Sequence, residues 1–152
     1  MASFLGLEQN ISYYTIPAAL MLALLPRTYS GLTGPGKKFF DGNNPRFFTA
    51  RLESADIDKK LRGRLQRAEA AGANAFETLG LYAAAVTAGN AGGLSASTMN
   101  GLSIGYLATR VLYTWIYIWG QENRKMAPLR TIVWGINMII CMTMFSMAVP
   151  SA

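Results

Sequence analysis

Charged residues are so unevenly distributed along this 152-residue chain that they leave long, almost uncharged apolar runs between them. Only 14% of the residues are charged and 51% are hydrophobic, whereas average globular proteins have about 25% charged residues. A transmembrane helix needs about 20 mostly apolar residues. The apolar runs predict helices at about residues 11–29, 65–88, 99–120 and 127–149. We therefore expect a single all-α domain over residues 1–152, an integral membrane four-helix bundle in which Pro17 kinks the first helix.

The positions of the basic residues favour one orientation of this bundle. The loop at residues 30–64, with a short surface helix expected at 55–64, is rich in Lys and Arg, and Arg124 and Lys125 lie in the third loop. The second loop and both tails contain no Lys or Arg. Because cytoplasmic loops of membrane proteins are enriched in these residues, loops one and three are expected to be cytosolic.

The composition also excludes several kinds of site. The net charge of +6 could suit nucleic acid, but most cations lie beside apolar spans, so we expect contact with anionic lipid and no nucleic-acid partner. There is no histidine, and Cys141 is the only cysteine. An intrachain disulfide is therefore impossible, and we expect no metal site.

Three ionisable residues, Glu77, Arg110 and Arg130, lie within the predicted membrane helices. Each costs about 2.5 to 3.5 kcal/mol at the centre of a membrane helix, so such residues usually face the bundle interior with a partner. We predict that Glu77 and Arg110, on neighbouring helices, form an ion pair. The pair either fixes the register of two helices or also shapes a polar ligand site.

Further polar residues recur at helical spacing around these three. Arg67, Asn74 and Glu77 share one face of the second predicted helix, because residues three, four and seven apart lie on the same side. The third and fourth helices carry Arg110, Tyr113, Tyr117, Arg130 and Thr131. Together they predict a polar pocket near the cytosolic interface for a small zwitterionic or anionic ligand. The two tyrosines also fit an interfacial aromatic belt.

These residues stand in a recognisable pattern: Arg67-Ala68-x-x-Ala71-x-x-Asn74-x-x-Glu77, then Arg110-x-x-Tyr113-x-x-x-Tyr117, then Ala127-Pro128-x-Arg130-Thr131. The pattern resembles the MAPEG family, the membrane-associated proteins in eicosanoid and glutathione metabolism. The resemblance covers nearly the whole chain, and residues 74–86 are most similar to the microbial branch of the family.

The resemblance implies a homotrimer with a glutathione site at the subunit interface, open to the cytosol, and lipophilic substrates that enter from the bilayer. In a eukaryotic cell it implies the endoplasmic reticulum membrane. The glutathione-binding residues it implies are Arg67, Asn74, Glu77, Tyr113, Tyr117 and Arg130. Arg130 would hold the thiolate and Thr131 would donate a hydrogen bond to the same sulfur, with Arg110 as a third catalytic candidate.

The chain departs from the family pattern at some of these positions. It has Ala70, Gly72 and Ala73 where catalytic members have basic or polar residues, and Trp134 where they often have tyrosine. The missing cations would have paired with glutathione carboxylates, a role that Lys37 or Lys38 would have to take.

Three functions remain open from the sequence. The first is a glutathione-dependent transferase, isomerase or peroxidase that acts on a lipophilic substrate. The second is a glutathione-independent isomerase or cyclase of a hydrophobic metabolite, in which Arg110 or Arg130 polarises a carbonyl. The third is a non-enzymatic lipid-binding scaffold.

Overall fold

The computed structural model describes residues 9–32 and 34–149, and within these ranges the chain forms helices and short connections without any strand. Its α-helices are α1 (Thr15–Arg27), α2 (Phe48–Glu53), α3 (Lys59–Ala91), α4 (Ala96–Ile118) and α5 (Ala127–Ala148). The predicted all-α class is therefore confirmed. The described ranges contain five α-helices rather than the four predicted: α1, α3, α4 and α5 overlap the predicted ranges, and the short α2 is additional.

The last helix has the clearest character of a membrane span. α5 is 22 residues long with a mean hydropathy of 1.7, and it is the one helix of the described ranges that is long and apolar enough to cross a bilayer by these measures. Most of its surface is open, with Ile132 59% and Ile139 65% exposed. A core helix of a water-soluble protein would bury such side chains.

α3 is longer at both ends than the predicted helix at 65–88. The side chain of Asp58 caps its first turn by accepting hydrogen bonds from the main-chain N–H groups of Lys60 and Leu61. Because a cap satisfies donors that have no intrahelical acceptor, the helix begins at Lys59, within the charged segment. The expectation of a separate surface helix at 55–64 was therefore wrong.

The basic segment before α3 contains structure of its own. Single 3₁₀ segments at Gly34–Phe39 and Pro45–Phe47 lead into α2. Phe48 and Leu52 of α2 pack with Leu65 of α3 in a small apolar cluster in which all three are almost fully buried. This cluster packs the basic segment against the N-terminal part of α3.

α1 is shorter than the predicted helix at 11–29, because a 3₁₀ turn at Ser12–Tyr14 precedes it and a π-helical turn at Thr28–Leu32 follows it. Pro17, which was expected to kink the helix, is its third residue, where an N–H would have no intrahelical acceptor. It therefore interrupts no helical hydrogen bond. Pro26 lies inside the helix instead, two residues before the π-helical turn begins at Thr28.

α4 and α5 begin and end within a few residues of the predicted limits. Ser95 caps α4 by accepting a hydrogen bond from the N–H of Thr98, and Gly93, with φ +77°, makes the turn between α3 and α4. That backbone conformation favours glycine.

α3 lies at the centre of the bundle and packs against α1, α4 and α5. In the apolar half, Tyr82 of α3 stacks on Tyr106 of α4 with ring centroids 3.7 Å apart and planes 3° from parallel. Cys141 is fully buried in the same cluster, in agreement with a packing role. The half nearer the basic loops contains the polar residues that the sequence singled out.

Candidate functional site

A polar cavity of about 470 Å³ lies between α3, α4 and α5, and we call it the Arg130 cavity. Its volume is within the range of about 300 to 1,000 Å³ that small-molecule sites have. Six of the eight site residues predicted from the sequence line it: Asn74, Glu77, Tyr113, Tyr117, Arg130 and Thr131. The other two, Arg67 and Arg110, do not.

Arg130 and two tyrosines form one wall of the cavity. The guanidinium carbon of Arg130 lies 4.6 Å from the centre of the Tyr117 ring, and Tyr113 meets Tyr117 edge to face at 5.6 Å between centroids. The face of an aromatic ring attracts a cation but does not neutralise it. Within the described part of the chain, Arg130 makes no ion pair or hydrogen bond, so its charge is available to a ligand.

Arg110 lies behind the cavity wall rather than in it, and only 5% of it is exposed. Its Nη1 donates to Asn74 Oδ1 at 3.3 Å and its Nη2 donates to the main-chain oxygen of Asn74 at 3.1 Å. Nη2 also donates to Thr78 Oγ1. These bonds occupy the oxygen of the Asn74 side chain and leave its Nδ2 donors unused by the described residues.

The predicted ion pair between Glu77 and Arg110 is not among the ion pairs that the described residues form. Asn74 and Thr78 lie one turn apart on the side of α3 that meets Arg110, and they satisfy its guanidinium. Glu77 lies on an exposed side of α3 and lines the cavity. Its carboxylate is therefore available to a ligand instead.

Arg67 lies outside the cavity lining because it binds the end of α4. Its Nε donates to the main-chain oxygen of Ile118 at 3.0 Å, and Ile118 is the last residue of that helix. Carbonyl groups in the last turn of a helix lack intrahelical donors. Its Nη2 lies 3.8 Å from Glu122 Oε1.

Glu122 joins this corner of the bundle to the start of α3. Arg64 Nε donates to Glu122 Oε1 at 2.9 Å, and Lys60 Nζ lies 3.0 Å from Oε2. The hydrogen bond from Arg64, with that from Lys60, holds the pKa of Glu122 below its usual range. These pairs connect α3 to the loop between α4 and α5 at the basic end of the molecule.

The residues that depart from the family pattern divide into two groups. Ala70, Ala73 and Trp134 line the Arg130 cavity. Gly72 faces α1 instead, where a Cβ atom would lie 3.4 Å from the main-chain oxygen of Ala23. Gly72 is thus buried against α1 at an ordinary van der Waals distance and lies outside the cavity, whereas the two alanines leave the cavity without cations at their positions.

Thr78 was not among the predicted site residues. It receives a hydrogen bond from Arg110 and lies next to the cavity residues of α3. Its position four residues after Asn74 was the available signal, since residues at that spacing share a helix face. A threonine hydroxyl often bonds its own helix backbone, as Thr78 also does to the Asn74 and Ala75 carbonyls. Nothing in the spacing therefore favoured the contact with Arg110.

The fold and the cavity define an all-α protein with an exposed apolar helix and a polar cavity between α3, α4 and α5. The model of the MAPEG family matches residues 11–150. The chain belongs to the MAPEG family, whose members are integral membrane proteins, are commonly trimeric and commonly use glutathione. No curated protein and no solved structure matches the chain.

Proposed function

We propose that the chain is an integral membrane enzyme that acts on a lipophilic substrate in a glutathione-dependent transfer, isomerisation or peroxide reduction. The observation that carries this proposal is the Arg130 guanidinium in the wall of a polar cavity, which forms no ion pair with any described residue. A cation within a membrane protein usually has a partner because leaving it unpaired is costly. An anionic ligand would supply that partner, and family membership supports a thiolate.

The residues at the start of α5 suit a thiolate. Glutathione, when bound, supplies a cysteine thiol, whose pKa is about 8.5 when free. Arg130 would lower that pKa by favouring the charged form, and it lies in the first turn of α5, where the helix dipole also favours a negative charge. The exposed hydroxyl of Thr131, the next residue, would donate a hydrogen bond to the sulfur.

The α3 side of the cavity suits the remainder of a zwitterionic peptide. The Nδ2 group of Asn74 would donate to a carboxylate or a peptide carbonyl, and the exposed carboxylate of Glu77 would accept from an ammonium group. Tyr113 and Tyr117 would pack along the ligand. Arg110 would act through Asn74, by fixing its amide, rather than by contact with the substrate.

We further propose that the protein works as a homotrimer in which α3 faces a partner subunit. Small or polar residues on one exposed stripe of α3 follow each other at spacings of three and four: Ala73, Glu77, Gly80, Ala84 and Thr87. A Cβ atom added at Gly80 would meet nothing within 4 Å, so this stripe is open in the single chain. Small residues allow membrane helices to approach closely, and the family is commonly trimeric.

Because loops one and three contain the basic residues, we propose that both loops lie in the cytosol. In a eukaryotic cell the proposed membrane is that of the endoplasmic reticulum. Glutathione would then reach the Arg130 cavity from the cytosol. Lipophilic substrate would reach it from the bilayer, past the half-exposed side chains of α5 such as Trp134.

Turnover with and without glutathione tests the proposal. Purified protein in lipid nanodiscs is given a panel of lipophilic electrophiles and hydroperoxides, and product is followed in both buffers. We expect product only with glutathione, and we expect Arg130→Ala to abolish most of it while the oligomer survives. Equal turnover without glutathione would refute the proposal.

One observation favours a second candidate, a glutathione-independent isomerase or cyclase of a hydrophobic metabolite. The alanines at positions 70 and 73 give the Arg130 cavity no cation for glutathione carboxylates. In that case Arg130 would polarise a substrate carbonyl and a tyrosine hydroxyl would donate to it. The same assay separates the candidates, because this reaction would proceed in glutathione-free buffer.

A further inference from the structure

An apolar groove of about 350 Å³ lies between α1 and α4 and shares no lining residue with the Arg130 cavity. Neither α5 nor α3, which carries the stripe proposed for the trimer, contributes to its lining. Apart from Thr114, the lining side chains are aliphatic or aromatic, and none is charged. We call it the α1–α4 groove, and the residues that matter for its chemistry are Leu22, Leu25, Tyr29, Val111, Trp115 and Trp119.

The length of the α1–α4 groove suits a hydrocarbon chain. Val111 and Ile118, which both line it, lie about 10 Å apart along α4, given a rise of about 1.5 Å per residue. One leaflet of a bilayer contains about 15 Å of hydrocarbon, half of a core that is about 30 Å thick. Leu25 is 56% exposed and Trp115 is 54% exposed, so the groove opens outward. An acyl chain parallel to the helices can therefore lie along it.

Two aromatic rings lie at the end of the groove that is nearer the basic segment. The ring centroids of Tyr29 and Trp119 are 5.5 Å apart, with planes 50° from parallel. Tyrosine and tryptophan are enriched where the hydrocarbon core of a membrane meets the lipid headgroups. This end of the groove is therefore expected at headgroup level.

Three cations lie around one carboxylate next to this aromatic pair. Lys60 Nζ is 3.0 Å from Glu122 Oε2, Arg64 Nε donates to Glu122 Oε1 at 2.9 Å, and Arg67 Nη2 is 3.8 Å from Oε1. Arg64 is also a hydrogen-bond partner of the Tyr29 side chain, which connects the cations to the groove. Since one carboxylate balances only one cation, positive charge is in excess here. The side chain of Lys60 is 67% exposed and can reach a headgroup.

We infer that the α1–α4 groove binds an anionic phospholipid, with an acyl chain between the two helices and the phosphate at Lys60 and Arg64. The apolar lining selects a hydrocarbon chain, and the excess positive charge at one end selects an anionic headgroup over a zwitterionic one. The proposed cytosolic position of the basic loops agrees with this ligand, because anionic lipids are concentrated in the cytoplasmic leaflet. The inference requires the chain to lie in a membrane, but it does not require glutathione.

Quenching of tryptophan fluorescence by brominated lipid tests this site. The chain has three tryptophans, and Trp134→Phe leaves Trp115 and Trp119, which both line the groove. Protein with this substitution is placed in phosphatidylcholine nanodiscs with increasing fractions of dibrominated phosphatidylglycerol or, for comparison, dibrominated phosphatidylcholine. The quenching curves give the affinity of the groove for each brominated lipid relative to unlabelled phosphatidylcholine.

Three further substitutions in the same background test the role of the charges. Lys60→Gln removes the exposed cation beside Glu122. Lys59→Gln is the matched control, because it removes an exposed cation from the next residue, and adjacent residues of a helix do not share a face. Glu122→Gln removes the carboxylate that competes with a lipid phosphate for the cations.

We expect phosphatidylglycerol to quench at lower fractions than phosphatidylcholine. Lys60→Gln should weaken this preference about fivefold, the usual contribution of one basic residue near anionic lipid. Lys59→Gln should leave the preference unchanged, and Glu122→Gln should strengthen it. Equal quenching by the two lipids, equal losses in Lys59→Gln and Lys60→Gln, or no gain in Glu122→Gln would overturn the inference. Absence of quenching by either lipid would also overturn it, since the groove would then be closed to lipid.

Discussion

The Arg110 guanidinium holds the Asn74 side chain by its oxygen, with Nη1 3.3 Å from Oδ1. A second donor of the same group binds the main-chain oxygen of Asn74 at 3.1 Å. Because a carboxamide has one acceptor end and one donor end, this contact determines which end is left for the Arg130 cavity. The donor end is the one available to a ligand, which suits an anionic or carbonyl group.

Asn74→Asp should separate the role of the Asn74 amide donors in ligand binding from the role of its oxygen in stability. The aspartate keeps an oxygen for Arg110 but removes the donors and adds a negative charge beside the ligand. We expect glutathione affinity to fall about tenfold or more, as loss of one hydrogen bond to a charged group predicts, while the melting temperature stays at or above the wild-type value. Unchanged affinity would mean that Asn74 does not contact the ligand.

Arg110→Met should destabilise the protein. It leaves the Asn74 oxygens and the Thr78 hydroxyl without their donor in a buried setting, at a cost of about 1 to 3 kcal/mol in the free energy of unfolding. Glu77→Gln is the matched comparison, and since Glu77 is exposed and does not bind Arg110, we expect a change within about 0.5 kcal/mol. Thermal unfolding in detergent measures both, and equal losses would support the ion pair that the sequence predicted.

The expected ion pair between Glu77 and Arg110, which the structure does not form, marks a limit of prediction from helical spacing. Helical spacing was sufficient to place Asn74, Glu77, Tyr113 and Tyr117 at one cavity, because residues three and four apart share a face. It was not sufficient to choose the partner of Arg110. A guanidinium is satisfied by neutral oxygens as well as by a carboxylate, and the rotation of α3 against α4 decides which of them it meets.

Arg67 gives a second example. Its spacing put it in line with Asn74, yet its long side chain satisfies a carbonyl at the end of α4. Such a contact depends on where another helix ends in space, and that end cannot be located from the pattern of α3 alone. A cavity of about 340 Å³ lined by Arg27, Arg46 and Glu69 was also not predicted, since it combines residues of α1 and α3 with a 3₁₀ turn in a segment that was expected to be a loop.

The carboxylate of Glu122 should make stability depend on acid pH. Hydrogen bonds from Arg64 and Lys60 lower its pKa in the folded protein. Their contribution is therefore complete above the unfolded-state pKa, about 4.3, and is lost as the pH falls through the folded-state pKa. We expect the melting temperature of the wild type to fall more steeply than that of Glu122→Gln in this acid window, and parallel curves would contradict the assignment.

The orientation of the bundle can be checked at Ser97, which is exposed at the start of α4. Cys141 is fully buried, so a Ser97→Cys variant should present a single accessible thiol. A membrane-impermeant maleimide should label it in sealed vesicles only from the side opposite the cytosol. Asn43→Cys, in the basic segment, should show the reverse, and labelling of position 97 from the cytosolic side would overturn the orientation.

Thiolate absorbance tests the central claim, that Arg130 binds and ionises a thiol in the Arg130 cavity. Glutathione is added to the wild type and to Arg130→Ala near neutral pH, and the ultraviolet difference spectrum of each complex is recorded. The wild type should show thiolate absorbance at a pH where free glutathione is mostly protonated, because the guanidinium favours the anion. Arg130→Ala should lose this absorbance while keeping its oligomeric state. Absence of a thiolate signal in the wild type, or an equal signal in both proteins, would contradict the claim.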